Sequence, residues 1–258
     1  MCQFKSGIIL KNKIVIAHGA DDSHSNLLDE LNIEDNTENA MRRFVRAELV
    51  PPNNEWWTDP DTWKINIDQD ITPEWFDIDR EKYEEDFRIA VKEWWKIHVL
   101  IDQKVEELSS GYYRLKRCEV KKLLKDVVTL LDNSTVQRML DNSTVQRMYC
   151  NSTVQEMYCN STVQRMCENS TVQRMYCNST VQRMWGNSTV QRMLDNSTVQ
   201  RMWGNSTVQR MLDNSTVQRM YCNSIAIDNH SGVIRISKDS DLKEVRNINE
   251  EKISNECI

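Results

Sequence analysis

The chain has 258 residues, of which 39% are hydrophobic, and a formal net charge of −6 at neutral pH. This length is enough for one sizeable core or two modules, and the mild acidity gives no general reason to expect nucleic-acid or membrane binding. The start of the chain lacks the apolar core and cleavage site of a signal peptide, and no apolar stretch approaches a bilayer span. We therefore expect a soluble, cytoplasmic protein whose cysteines stay reduced and whose Asn-Ser-Thr sequons stay unglycosylated.

Residues 1–123 contain no repeat and hold six of the eight tryptophans. The clearest element is a long helix over about 79–99, because apolar side chains from Tyr83 to Trp94 recur there at helical spacing. We expect a small α+β module whose last strand leads into the repeats. In chain order the pattern predicts a hairpin over 8–17, a helix over 25–31, strands over 44–50 and 63–67, the long helix, and a strand over 112–120.

Ten tandem nine-residue copies follow over residues 133–222. Each reads Asn-Ser-Thr-Val-Gln-Arg-Met and ends in two variable residues, and the single change within the seven-residue motif is Glu156 in place of Arg. Repeats at a short fixed period indicate a stacked array, because one unit cannot bury its own apolar face. The β-branched centre of the motif and the Asn in every copy favour strands separated by turns.

The period also excludes a helix. Nine residues make 2.5 helical turns, so a helix would rotate its Val by half a turn at each copy. The variable pairs alternate Trp-Gly and Leu-Asp from Trp185 to Asp213, with a period of 18 residues. We therefore predict a mainly β fold, a parallel β-solenoid with two repeats per 18-residue coil. Ten repeats make five coils, or about 24 Å of stacked strands.

Side-chain alternation places the Val and Ser of each copy inside the coil and Thr and Gln outside. Met has the wrong parity for a straight strand, so we expect a bend at Gln-Arg that returns Met to the core. The Leu, Tyr or Trp of the variable pair closes one corner. Asn lies at the other corner, where its amide forms a ladder along the stack.

Degenerate copies are expected to cap the array. Residues 124–132 are in register with the repeats if Val127 corresponds to Val136 and Leu130 to Met139. Beyond the last copy, residues 233–236 predict a closing strand. The predicted organisation is an α+β module over 1–123, a solenoid with its caps over 124–236, and a polar tail over 237–258 that is a cap, a short helix or disordered.

One cluster has metal-ligand chemistry: His18, Asp21, Asp22 and His24 offer two imidazoles and two carboxylates within seven residues. The alternative is a polar loop in which Asp22 or Ser23 caps a helix. The chain contains no Gly-rich phosphate loop, serine-hydrolase elbow or zincin motif. We expect no cofactor.

The arginines of the repeat fall into two rows on such a solenoid, and rows of guanidinium groups could follow a polyanion. Thr and Gln flank each Arg, which favours an ordinary solvated face instead. Cys159 and Cys177 are 18 residues apart, so they stack in one column. One row comprises Arg147, Arg165, Arg183, Arg201 and Arg219, and the other comprises Arg138, Glu156, Arg174, Arg192 and Arg210.

The Asn-Ser-Thr-Val-Gln-Arg-Met array resembles the Ser-Thr-Val nonapeptide-type tandem repeats of uncharacterised bacterial and phage proteins. The resemblance covers residues 124–222, extends more weakly to the leading module, and implies an architecture rather than an activity. Our first hypothesis is a non-enzymatic interaction protein, in which a rigid solenoid presents the Trp-rich N-terminal module to another protein. Self-association through the solenoid ends or faces is a further possibility, and we expect no membrane partner. The alternatives are a metal-dependent or toxin-like enzyme in the N-terminal module, with the repeats as a stalk, and nucleic-acid binding along an Arg row.

Overall fold

The computed structural model describes residues 4–19, 21–228, 233–238 and 241–247. The chain divides into two units, Met1–Leu100 and Ile101–Ile258. Within the described residues, no helix combines the length and the apolar character needed to cross a bilayer.

The N-terminal unit contains a four-stranded antiparallel sheet and four helices. The strand order is β2-β1-β3-β4. The predicted hairpin, the strands over 44–50 and 63–67, the first helix and the long helix are confirmed, whereas the helices Thr37–Arg42 and Glu74–Ile78 were not predicted. The predicted strand over 112–120 is wrong, because a bend at Arg117 divides these residues between two strands, Gly111–Lys116 and Glu119–Leu123. The strands are β1 Lys5–Leu10, β2 Lys13–Ile16, β3 Phe44–Val50 and β4 Lys64–Ile67, and the helices are α1 His24–Glu30, α2 Thr37–Arg42, α3 Glu74–Ile78 and α4 Arg80–His98.

Tryptophans form much of the core of this unit. The Trp56 ring packs edge-on against Trp63 at 5.2 Å and against Trp94 at 6.1 Å between ring centroids, and all three side chains are buried. Helix α4 buries Phe87 and Val91 together with Trp94. These three tryptophans therefore stabilise the fold instead of forming a surface for a partner.

The remaining strands form a parallel solenoid with two strands per coil. Its two sheets are an eight-stranded sheet, order β19-β17-β15-β13-β11-β9-β7-β5, and a ten-stranded sheet, order β22-β21-β20-β18-β16-β14-β12-β10-β8-β6. The strands are β5 Val99–Ile101, β6 Lys104–Leu108, β7 Gly111–Lys116, β8 Glu119–Leu123, β9 Val127–Asp132, β10 Thr135–Met139, β11 Thr144–Tyr149, β12 Thr153–Met157, β13 Thr162–Met166, β14 Thr171–Met175, β15 Thr180–Met184, β16 Thr189–Met193, β17 Thr198–Met202, β18 Thr207–Met211, β19 Thr216–Met220, β20 Ile225–Asp228, β21 Val233–Lys238 and β22 Asp241–Asn247.

The register confirms the 18-residue coil. Val163 pairs with Val181, and Val181 pairs with Val199 one coil further on. The Val and Met of every copy are buried, and the neighbouring Gln and Arg are not. Pairing between β13 and β15 joins Thr, Val, Arg and Met but omits Gln. This interruption lies at the predicted bend, which returns Met to the core.

The coils begin earlier than the repeat motif predicts. Strands β6 and β8 pair in parallel, and β8 pairs in parallel with β10, so that Val120 lies beneath Val136 and Leu123 beneath Met139. The solenoid therefore starts at Val99 and not at residue 124. The motif did not reveal these coils because a coil requires apolar residues only at its inward positions, which Val120 and Leu123 supply without Asn-Ser-Thr.

The predicted register of the degenerate copy is wrong, by one residue at the Met position and by two at the Val position. Leu131, not Leu130, pairs with Met148, and Thr129 pairs with Val145. Strand β9 alternates regularly, burying Val127, Thr129 and Leu131. It therefore lacks the bend of the repeats, and a register shift in its pairing with β11 absorbs the difference.

The C-terminal end is closed by antiparallel strands. β20 pairs with β21, which confirms the predicted closing strand, and β21 pairs with β22. The tail was predicted to be a cap, a helix or disordered, and β22 shows that its residues Asp241–Asn247 form a strand of the cap. Residues 248–258 of the predicted tail lie outside the described residues.

Deleting one whole coil, residues 187–204, should leave a folded solenoid, because Gly186 is then followed by an identical Asn-Ser-Thr start. Deleting nine residues, 187–195, moves every later strand to the opposite sheet and separates the stacked rings of Trp185 and Trp203. We expect the nine-residue deletion to be less stable than the coil deletion by at least about 1 kcal/mol. Urea unfolding followed by circular dichroism measures both. Equal stability of the two deletions would contradict the two-strand coil.

Candidate functional site

The outer face of the eight-stranded sheet carries an unbroken row of arginines. Arg165, Arg183, Arg201 and Arg219 occupy equivalent positions on successive strands, and Arg147 precedes them by one coil. Among the described residues, none of the five forms an ion pair. At about 4.8 Å per strand, the row extends over about 19 Å. The predicted row is therefore present as a continuous positive stripe.

The ten-stranded sheet carries the second predicted row, but Glu156 interrupts it. One Glu156 carboxylate oxygen lies 2.8 Å from Nη1 of Arg174 and the other lies 3.4 Å from Nε of Arg138. The Glu156 ion pair is the first cause of the raised pKa of Arg174. Two of the four arginines in this row are thus paired with Glu156, whose single negative charge offsets one of theirs. Four Arg and one Glu give this row a charge of +3, against +5 for the five arginines of the intact row.

Aromatic rings line the intact arginine row. The rings of Trp185 and Trp203 stack at 5.2 Å, and those of Trp203 and Tyr221 stack at 5.2 Å. Each ring follows an Arg of the row by two residues, and Nη1 of Arg147 donates to the Tyr149 hydroxyl at 2.8 Å. Sequence reasoning placed these residues at a corner but missed the column, although the 18-residue spacing of the two tryptophans was sufficient to find it.

The corners are held by polar ladders, as predicted for Asn. Asn shares its turn with the variable pair instead of lying at a separate corner, since the backbone N–H of Ser170 donates to the carbonyl of Cys167 across Glu168 and Asn169. The Asn187 amide donates to Oδ1 of Asn169 and the Asn205 amide to Oδ1 of Asn187, each at 3.3 Å. At another corner the backbone N–H of Cys177 donates to Oδ2 of Asp195 at 2.9 Å. These bonds join equivalent positions of successive coils and make the array rigid along its axis.

Several cysteines occupy the ninth position of the repeat, where the backbone has a positive φ. Cys159 and Cys177 lie in one column as predicted, and both are free thiols. The pKa of Cys150 is raised to about 11. Burial is the largest cause, and a hydrogen bond from the thiol to Glu168 is the second largest. This thiol is therefore protonated near neutral pH and is a weak nucleophile.

The structure does not bring the four predicted metal ligands together. His18 is exposed. Oδ1 of Asp21 accepts from the backbone N–H of Ser23 at 3.0 Å, and Asp22 forms an ion pair with Lys5 at 2.8 Å. Both carboxylates are thus committed within the fold, and only His24 of the four belongs to a potential metal cluster in the described part of the chain.

The partners of His24 come from two strands. Nδ1 of His24 lies 3.3 Å from Oδ2 of Asp68, and a ligand atom from each of His24, Glu48 and Asp68 lies within 4.8 Å of the others. Glu48 is in β3 and Asp68 directly follows β4. The sequence pattern placed neither carboxylate beside His24, because only the pairing of β3 with β4 brings them to α1.

No protein-family model matches the chain, and neither a curated protein nor a solved structure shows significant similarity to it. Two sites of the molecule are therefore candidates for function: the arginine row with its aromatic column, and the His24 cluster.

Proposed function

We propose that this chain is a non-enzymatic interaction protein, in which the solenoid is a rigid scaffold that presents a repeated surface to another macromolecule. The observation that carries the proposal is the repetition of outward side chains: Thr recurs at equivalent positions on successive strands of both sheets, and so does Arg except at Glu156. A repeated surface offers many equivalent contacts to one partner, whereas catalysis needs a single constellation. The partner that we propose first is another protein.

The N-terminal unit contributes a different surface. With Trp56, Trp63 and Trp94 in its core, its exposed apolar side chains include Ile89 and Ile97 on α4, and these are the residues that we assign to partner contact in this unit. The resemblance of the array to bacterial and phage Ser-Thr-Val repeat proteins supports a scaffold, because it implies architecture without an activity.

The intact arginine row favours a second candidate, the binding of a polyanion such as nucleic acid along the eight-stranded face. The five arginines lie at regular spacing without ion pairs among the described residues. A chain of phosphates gains affinity from each such contact by releasing bound counterions. The ring of Trp203 presents only its edge beside the row, because the rings of Trp185 and Tyr221 stack against it on either side. Binding here would consequently be independent of base sequence.

One experiment distinguishes the two candidates: capture from a lysate on the immobilised full chain, with proteins identified by mass spectrometry and nucleic acid by ultraviolet absorbance. The test variant replaces Arg165, Arg183 and Arg201 by Gln. The matched control replaces Arg174, Arg192 and Arg210 by Gln, which removes three positive charges from the face of the ten-stranded sheet.

For the polyanion candidate, we expect nucleic acid on the wild type and on the control but not on the test variant. The affinity of the wild type for nucleic acid should fall steeply as the salt concentration rises. The slope of log affinity against log salt concentration should be smaller in magnitude by about 2–3 in the test variant. A salt-independent affinity, or equal loss in both triple variants, excludes this candidate. Capture of the same protein by all three chains supports the scaffold, and discovery of a catalytic activity would contradict it.

A further inference from the structure

The His24 cluster contains a nitrogen whose lone pair faces a carboxylate. Nε2 of His24 lies 3.2 Å from the carbonyl oxygen of Ala47, and a carbonyl only accepts hydrogen bonds, so Nε2 carries the proton. In the neutral ring Nδ1 is then an acceptor. It points to Oδ2 of Asp68, which is also an acceptor when ionised. Two facing acceptors repel each other unless a cation offsets the repulsion. That cation is either a metal ion between Nδ1 and Oδ2 or a second proton on the His24 ring.

We propose that His24, Glu48 and Asp68 bind one divalent transition-metal ion of the zinc(II) type, through Nδ1 and one oxygen of each carboxylate. This inference concerns the N-terminal unit alone and is independent of the proposed function of the solenoid.

The distance between Nδ1 of His24 and Oδ2 of Asp68 matches that between two ligands of one ion. Charge-assisted N–H···O bonds measure about 2.7–2.9 Å, shorter than the 3.3 Å from Nδ1 to Oδ2 of Asp68. Zinc binds nitrogen and oxygen at about 2.0–2.2 Å in a tetrahedron, which separates two ligands by about 3.3–3.5 Å. The observed separation therefore corresponds to one edge of a tetrahedral site.

The surroundings orient the ligands as metal sites require. The carbonyl of Ala47 fixes the tautomer of His24, the arrangement usual for a metal-binding imidazole. The Asn66 amide donates to Oε2 of Glu48 at 2.9 Å and fixes that carboxylate. The His24 side chain is only 9% exposed, so its ring is held in place by packing.

The charge and the exposure of the cluster also favour an exchangeable ion. Among the described residues, no Lys or Arg forms an ion pair with Glu48 or Asp68, so a divalent cation would balance both carboxylates. Asp68 is 55% exposed, which leaves a path for the ion and room for water. Three protein ligands leave the fourth tetrahedral position to a water molecule.

The test is calorimetric titration of the reduced, metal-free full chain with Zn²⁺, and with Co²⁺ to record its absorption spectrum. We expect one ion per chain, and an affinity at least about 10-fold weaker in Asp68→Asn and in Glu48→Gln. Asp68→Asn is nearly isosteric at a half-exposed position, so it should fold. The matched controls are His18→Gln and Asp70→Asn, which we expect to bind as tightly as the wild type.

The ion should also raise the unfolding temperature of the wild type and not that of Asp68→Asn, because only a chain that binds the ion in its native state gains stability. Failure to bind an ion at this stoichiometry overturns the proposal, since a protonated His24 would then suffice as the cation. A thiolate-to-cobalt charge-transfer band overturns it as well, because the ion would be bound by cysteine. Equal affinity for the ion in the site variants and in the controls also overturns the proposal.

Discussion

Val190→Asp is expected to lower the free energy of unfolding by more than about 4 kcal/mol, because it places an unpaired carboxylate inside the coil. Val190 is fully buried and pairs with Val172 on one side and Val208 on the other. The inward positions of the repeats are Ser, Val and Met, which supply no cation to the core. Urea unfolding followed by circular dichroism measures the loss.

The matched control is Gln191→Asp, which adds the same charge at the neighbouring outward position. Gln191 is exposed and adjoins Arg192, so we expect a change within about 0.5 kcal/mol. If the two variants unfold at the same urea concentration, the assignment of inward and outward positions is wrong.

Asp22→Ala is expected to cost about 3–5 kcal/mol, because it removes the carboxylate that pairs with a buried ammonium group. Lys5 is fully buried in β1, with Nζ 2.8 Å from Oδ1 of Asp22 and 4.1 Å from the centre of the Trp94 ring. Taking away Asp22 leaves this charge in the core without its counter-charge. Thermal and urea unfolding of the full chain measure the effect on the N-terminal unit.

Two further variants separate the ion pair from local capping. Asp21→Ala removes an exposed carboxylate that accepts from the backbone N–H of Ser23, the N-cap residue of α1, so we expect a loss of about 1 kcal/mol. The double variant Lys5→Met with Asp22→Ala removes both charges and should be more stable than Asp22→Ala alone. A double variant no more stable than the single one would show that the pairing of Lys5 with Asp22 is not the source of the loss.

The repeat made the solenoid predictable in detail. A motif with one Val and one Met per nine residues, and corner pairs that alternate every 18 residues, determined the strand length, the two-strand coil, the buried rows and the columns of Arg and Asn. All of these follow from local periodicity, because each coil contacts only its neighbours and repeats the same side chains. Helix α4 was predictable for a similar reason, since its apolar face recurs at a regular spacing.

Two boundary errors show where periodicity is uninformative. The coils from Val99 to residue 123 lack the motif, and they were assigned to the N-terminal module although Val120 and Leu123 occupy the inward positions of β8. In β9, regular alternation placed Leu131 where Leu130 was expected. In both cases stacking against the following coil decides the register, and a stack is not visible in one strand's own residues.

The sequence by itself determined the coil, its core and the two arginine rows, because these properties repeat along the chain. Only the tertiary structure decided which charges are available and which side chains meet. Glu156 binds Arg138 and Arg174 across successive coils, Asp22 is committed to Lys5, and His24 lies beside Glu48 and Asp68. The physical reason is that ion pairs and ligand clusters depend on distances of a few ångströms between residues far apart in the chain. Sheet pairing and packing set those distances.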